Sequence, residues 1–264
     1  IIVALGGGVV GDLAGFVAST FLRGMPLVQV PTSLIAMTDA SIGGKTAVNH
    51  PRGKNLIGTF YQPRLVFADV QTLTTLPRRE LTSGWAEVIK HGLILSPELL
   101  HFLEENADKL IILDSEATTE AARHSIAIKA EVVEEDEKER GKRTILNYGH
   151  TIAHGLEAAT DYKRFLHGEA VSIGMIGAAA ISQKLGLLSE GALKRQQRLL
   201  ERFGLPTNCP GVNMPDVLKA MELDKKMRDR SLGWVLLKDI GEVTIRRDIS
   251  QDLVTEVISD LLKA

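Results

Sequence analysis

IIVALGGGVVGDLAGFVAST, residues 1–20, decides the fold class. Its first five residues are apolar and rich in β-branched side chains, and they read as a buried strand. Residues 9–24 then carry apolar side chains at helical spacing, with Leu13, Phe16, Val17 and Phe21 on one face. Between the two elements Gly6, Gly8 and Gly11 spell G-x-G-x-x-G. In a strand–turn–helix setting such glycines let helix N-terminal amides cradle a pyrophosphate. The same spacing also serves a tight turn that binds nothing. A dinucleotide fingerprint normally has an acidic residue roughly 20 positions on, at the end of the next strand, to hold the ribose. Here that strand ends in Pro31-Thr32-Ser33, so the reading is a dinucleotide site of another topology. The chain opens directly on a strand, without methionine, which leads to the expectation of a preceding segment.

Working outward, residues 26–32 (PLVQVPT) and 64–69 (RLVFAD) read as further strands, with a helix or turn at 33–44. Strand–helix alternation predicts an α/β layer with a parallel sheet over residues 1–79. From about Pro77 the pattern turns helical: 80–95, 97–111, 115–140 and the segments around 148–204, punctuated by Ser96-Pro97 and Asp114-Ser115. Residues 232–247 read as a β-hairpin with Gly241 in the turn, and 250–263 as a last helix. Residues 80–264 thus form a second, mainly helical domain.

Composition narrows the function. With 31 basic and 33 acidic residues the net charge is −2, and 44% of the 264 residues are apolar. A near-neutral globular chain of this kind argues against nucleic acid as a partner. No run of about 18 apolar residues is present, so no membrane span is expected. The apolar stretch 171–181, interrupted by Gly174 and Gly177, reads as a buried helix. The single cysteine, Cys209, excludes an intrachain disulfide framework and suits a reducing, cytoplasmic setting.

Two motifs bear on chemistry. Residues 41–46, SIGGKT, resemble the end of a P-loop, but the first glycine of G-x-x-x-x-G-K-[ST] falls on Asp39. A carboxylate there would repel phosphates, and Pro51 and Gly53 interrupt the helix that should follow. Lys45 remains able to bind phosphate as a point charge. The second motif is a set of metal-ligand side chains: Glu87, the His150/His154 pair at i,i+4, and His167. A catalytic zinc often takes two histidines and a carboxylate and keeps one position open. Three histidines within residues 150–167 favour a metal over hydrogen-bonded structural histidines, and spacing alone makes His150 and His154 the obvious pair. Which three groups form the shell stays open on spacing. Lys90 lies three residues after Glu87, so a surface ion pair is the plainer alternative.

Taken together, GGGVVGDLAGFVAS (6–19), QVPTSLIAMTDASIGGKTAVN (29–49), GKNLIGTFYQP (53–63), SGWAEVIKHG (83–92), LNYGHTIAHGLE (146–157) and LHGEAVSIGM (166–175) resemble the 3-dehydroquinate synthase family. The resemblance implies a Rossmann-like NAD domain followed by a helical metal domain. It implies metal ligation by Glu87, His150 and His167, with His154 moved to the substrate phosphate. It places NAD+ against Gly8, Val9, Val10, Gly11 and Asp12, then Thr32, Ser33, Lys45 and Lys54, and the stretch Thr72, Leu73, Thr74 and Thr75. Substrate groups would be Asp39, Lys45, Asn55, Lys90, Lys129, Arg143, Asn147, His154 and one lysine of 224–226, taken as Lys226. Arg23 would reach into the phosphate pocket of a second subunit, implying a homodimer.

The implied reaction converts 3-deoxy-D-arabino-heptulosonate 7-phosphate to 3-dehydroquinate and phosphate, a carbon–oxygen lyase step of the shikimate pathway. It proceeds by transient oxidation with NAD+, β-elimination of phosphate, re-reduction and intramolecular aldol closure, with Zn2+ or Co2+ as the metal. Two related readings share these parts. A sister sugar-phosphate cyclase would have no substrate carboxylate for Arg143 to meet. A metal-dependent polyol dehydrogenase would not need the phosphate set Lys45, Asn55 and His154.

Overall fold

The computed structural model describes residues 1–50, 53–227 and 233–263, with side chains except at 53, 54 and 224–227. The side chains of Lys54 and Lys226, on which expectations rest, therefore lie outside what the structure describes. The chain divides into two compact units, residues 1–88 with 108–143 and residues 89–107 with 144–264.

In the first unit, β1 (Ile2–Gly6) and β2 (Leu27–Pro31) pair in parallel, and β2 pairs in parallel with the short β5 (Leu65–Val66). Helix α1 (Gly8–Thr20) starts two residues after β1. It does not pack through the apolar face that its spacing suggests. Leu13, Val17 and Phe21 are exposed, while the buried positions are Gly15 and Ala18. The reason is steric: a Cβ on Gly15 would come within 2.4 Å of Thr46 Cγ2, so a helix backbone that touches its neighbour needs small residues there. Ala18 packs with Ala4 and Leu27. On β1 only Ala4 is buried, and alternate residues Val3 and Leu5 are exposed. The strand reading holds; its full burial does not, because α1 covers the Ala4 face alone.

Residues 45–60 form an antiparallel hairpin, β3 (Lys45–His50) with β4 (Gly53–Phe60), which the sequence reading missed. Lys45 thus opens a strand where a P-loop lysine would open a helix. Two further helices, α2 (Arg78–Leu95) and α3 (Pro97–Ile111), are shared by the units in sequence. Helix α4 (Ser115–Glu135) begins where Asp114 accepts a hydrogen bond from the Ala117 amide at 2.9 Å.

The second unit is helical around α6 (His167–Lys184), which is buried along most of its length as its apolar sequence requires. Against it lie α5 (His150–Ala159), α7 (Glu190–Arg202), α9 (Gln251–Leu261) and the hairpin β6 (Trp234–Asp239) and β7 (Glu242–Arg246), while α8 (Met214–Met227) packs on α5. Gly241, left-handed at φ 84°, makes the hairpin turn. No described helix is long and apolar enough to cross a membrane.

The start of α5 meets α6 backbone to backbone. Gly149, at φ 81°, precedes α5, and a Cβ on Gly174 of α6 would lie 2.0 Å from the Gly149 carbonyl oxygen. Only backbone fits there. Replacing Gly174 with alanine is expected to cost about 3 kcal/mol, the upper range for overpacking, because a carbonyl cannot turn aside as a side chain can. Equilibrium denaturation of the two proteins measures it, and equal stability would contradict the contact.

Candidate metal centre

Glu87 is carried on α2, His150 is the first residue of α5 and His167 the first of α6. Each offers one ligand atom, and these atoms lie within 4.8 Å of one another. The set of one carboxylate and two imidazoles matches zinc-type chemistry. Glu87 is fully buried and Lys90 is 1% exposed, so neither belongs to a surface ion pair.

The histidine rings are oriented. His150 Nδ1 sits 3.2 Å from the Tyr148 carbonyl oxygen. A carbonyl only accepts, so Nδ1 donates and the Nε2 lone pair is left for an ion. The Tyr148 side chain is itself anchored: its hydroxyl donates to Gln196 Oε1 at 2.9 Å and lies 3.2 Å from the Met175 carbonyl, and burial pushes its pKa above the usual range. His167 Nδ1 lies 3.2 Å from Glu157 Oε1. The other nearby carboxylate, Glu169, is engaged at the start of α6, where Oε2 accepts from the Leu166 amide at 2.9 Å. His154 stands edge-on beside His150, ring centres 5.5 Å apart, but is not among the converging ligands. These donors fit a divalent cation.

In the first unit a loop and two cations gather. Lys129 of α4 donates from Nζ to both the carbonyl and Oδ1 of Asp39, each at 2.5 Å. Arg143 Nη1 donates to the carbonyls of Gly43 at 3.1 Å and Glu137 at 2.5 Å. Gly43, at φ 96°, is needed: a Cβ there would sit 2.2 Å from Arg143 Nη2. Burial lowers the Arg143 pKa, against the opposing fields of Asp39, Asp136 and Glu137. Lys45 is exposed and pairs with Glu139. Asn55, also exposed, adopts φ 56° with its amide 3.3 Å from Asn49 Oδ1. Asn147 is half-buried at the end of the 3-10 turn Lys142–Asn147. Arg23 is exposed, in left-handed conformation at φ 64° beside Leu22 at φ 50°.

The glycine turn closes on the end of β2. The Thr32 amide donates to the Gly6 carbonyl at 2.9 Å, and a Cβ on Gly7 would lie 3.5 Å from Ser33 Oγ. Gly11 makes room for Gln29, whose Nε2 donates to the Gly11 carbonyl at 3.2 Å. Helix α1 has no acidic residue in its first turn and no side-chain cap. Val9 and Val10 are exposed beside the turn, and Gly8 and Asp12 are half-buried. This is the open, electropositive helix start that a pyrophosphate needs. The Thr72, Thr74 and Thr75 hydroxyls of the 3-10 turn Val70–Thr75 instead donate to backbone carbonyls within three residues, and Leu73 is buried.

Residues 1–83 match the 3-dehydroquinate synthase N-terminal family and residues 84–227 its C-terminal family. The chain is 50% identical over 246 residues to the 3-dehydroquinate synthase of Citrifermentans bemidjiense, covering 93% of this chain and 68% of the relative. It is 51% identical over 259 residues to that of Microcystis aeruginosa, covering 97% and 71%. Among solved structures it resembles a 2-epi-5-epi-valiolone synthase from Streptomyces hygroscopicus with NAD+ and Zn2+ bound, at TM-score 0.91 and 31% identity, over 98% of this chain and 72% of that one. A 2-deoxy-scyllo-inosose synthase with carbaglucose-6-phosphate, NAD+ and Co2+ gives TM-score 0.89 and 33% identity, over 99% and 74%. A glycerol dehydrogenase from Schizosaccharomyces pombe shares the fold alone, at TM-score 0.66 and 17% identity, over 98% and 68%.

The loop carrying Arg143 depends on Asp136, whose carboxylate accepts from the amides of Arg140, Gly141 and Arg143 at 3.0, 2.7 and 3.0 Å. Partial burial would raise its pKa, but these amides and the charge of Arg143 hold it below the usual carboxylate range. A depressed folded pKa stabilises fully above the unfolded value of about 3.9 and is lost as pH falls through the folded value. Asp136→Asn is therefore expected to lower Tm near neutral pH, with the gap from the parent closing below about pH 4. Melting curves across pH check this, and a pH-independent gap would refute it.

Proposed function

Because this chain belongs to the 3-dehydroquinate synthase family, we propose that it converts 3-deoxy-D-arabino-heptulosonate 7-phosphate to 3-dehydroquinate and phosphate, as an NAD- and metal-dependent lyase. The observation that carries the metal part is the convergence of Glu87, His150 and His167 within 4.8 Å. Higher identity to dehydroquinate synthases than to the two sister cyclases supports the acid substrate over a carboxylate-free one.

In this reading residues 1–79 are the Rossmann-like NAD part and 80–264 the metal- and substrate-binding part. The glycine turn at Gly8 to Asp12 takes the pyrophosphate, with Thr32, Ser33, Lys45, Lys54 and residues 72–75 along the rest of the cofactor. When bound, NAD+ would supply a transient hydride acceptor, and a Zn2+ or Co2+ ion would supply the Lewis acidity that lowers the pKa of a substrate hydroxyl. Glu87, His150 and His167 hold that ion. Lys45, Asn55 and His154 bind the substrate phosphate, joined by Arg23 from a second copy in a homodimer. The buried guanidinium of Arg143 spends Nη1 on two carbonyls and offers its remaining N–H groups to the substrate carboxylate, for which its planar fork is suited. Lys129, already drawn to Asp39, adds positive charge there. Asp39, Lys90 and Asn147 orient hydroxyls and relay protons, and Lys226 joins the substrate-binding groups. The setting is the cytoplasm.

Phosphate release from the heptulosonate phosphate, with NAD+ in catalytic amount, is the direct assay. A chelator is expected to abolish release and added Zn2+ or Co2+ to restore it; full activity in metal-free protein would end the metal reading. Arg143→Ala is expected to lower kcat/KM by about 100-fold, the loss typical of one buried charged contact, while metal content stays that of the parent. Unchanged kinetics would remove Arg143 from carboxylate recognition.

A further inference from the structure

We propose that Glu157 is the positioning residue of the metal centre: its carboxylate fixes the tautomer and ring orientation of His167, and so sets how tightly the ion is held. The inference rests on the metal reading above, to which it adds a residue from outside the ligand set.

Glu157 lies late in α5 and His167 opens α6. Its side chain is 6% exposed, against 27% for His167, and Oε1 is 3.2 Å from His167 Nδ1. A carboxylate buried this deeply is costly unless it has a task and donors to meet it. Glu157 does not belong to the ligand cluster, so it does not face an ion directly. Its contact is with the far side of a ligand. An ionised carboxylate can only accept, which forces Nδ1 to carry the proton and leaves Nε2 to coordinate. The negative charge behind the ring also raises its basicity toward a cation.

His150 shows the same arrangement with a different acceptor. Its Nδ1 meets the neutral Tyr148 carbonyl, whose residue is tied down through the Tyr148 hydroxyl. The two imidazoles are therefore backed by one neutral and one charged group. The charged one sits on the helix that carries the other imidazole, and the Gly149–Gly174 contact holds α5 against α6. Glu157 is thereby a side chain through which α5 acts on the far nitrogen of His167. A plain ion pair would be indifferent to what His167 does with its second nitrogen; a positioning residue would not.

The test measures metal binding by full-length metal-free protein, with a competing chelator for Zn2+ and the visible absorption of the Co2+ form for ligand geometry. Glu157→Ala is expected to weaken zinc by about 10–100-fold and to shift the Co2+ bands. Glu157→Gln, whose amide oxygen still accepts from Nδ1, is expected to recover part of the affinity and most of the spectrum. If Glu157→Ala does not fold, Glu157→Gln decides: weaker zinc binding supports the role. Parental affinity and spectrum in the variants that fold would overturn it. Failure of the parent protein itself to bind one zinc would instead sink the metal reading, so the two failures are told apart.

Discussion

Backbone touching backbone, where Gly174 meets the Gly149 carbonyl, is the constraint on which the metal centre depends. At that point no side chain stands between the backbone before α5 and the backbone of α6. That approach puts His150 and His167, each at the first position of its helix, with ring centres 5.3 Å apart. A Cβ at Gly174 would lie 2.0 Å from the Gly149 carbonyl oxygen, so the backbone would have to shift to admit one. The rings are then turned by acceptors behind them, Tyr148 for one and Glu157 for the other. Position comes from packing, and orientation from hydrogen bonds.

A second constraint organises the buried cationic side chains of the first unit. Asp136 gathers three amides and so folds the loop that delivers Arg143. Arg143 and Lys129 both reach back to the 39–43 segment, one to Gly43 and the other to Asp39. The two cations are thereby seated on backbone and carboxylate oxygens. Preorganisation of this kind reduces what must be ordered when substrate binds.

Buried charge marks the same residues. Glu87, Lys90, His91, Lys129 and Arg143 are each no more than 5% exposed. Most proteins keep such groups at the surface, because removing them from water costs several kcal/mol unless partners replace the solvent. Their concentration in α2, α4 and the loop ending at Arg143 is what a site for a charged ligand requires.

Element types were legible where periodicity and capping are local: β1, α1, β2, the helices after Pro77 and the hairpin turning at Gly241. The β3–β4 hairpin was not legible, since β4 carries Gly53 and Gly58, residues that weaken a strand pattern. Nor was the packing face of α1, because Gly15 and Ala18 bury backbone while Leu13 and Val17 face outward. For the site, the amino-acid sequence alone determined the donor chemistry: a carboxylate, several imidazoles, and lysines and arginines for anions. Spacing put His150 beside His154, and the rings are indeed neighbours. Spacing did not pick the shell; the family resemblance named Glu87, His150 and His167, the tertiary structure shows them converging, and it alone placed Glu157 behind His167. Helical spacing reports neighbours one turn away, whereas a three-ligand shell drawn from three helices is set by how closely those helices pack.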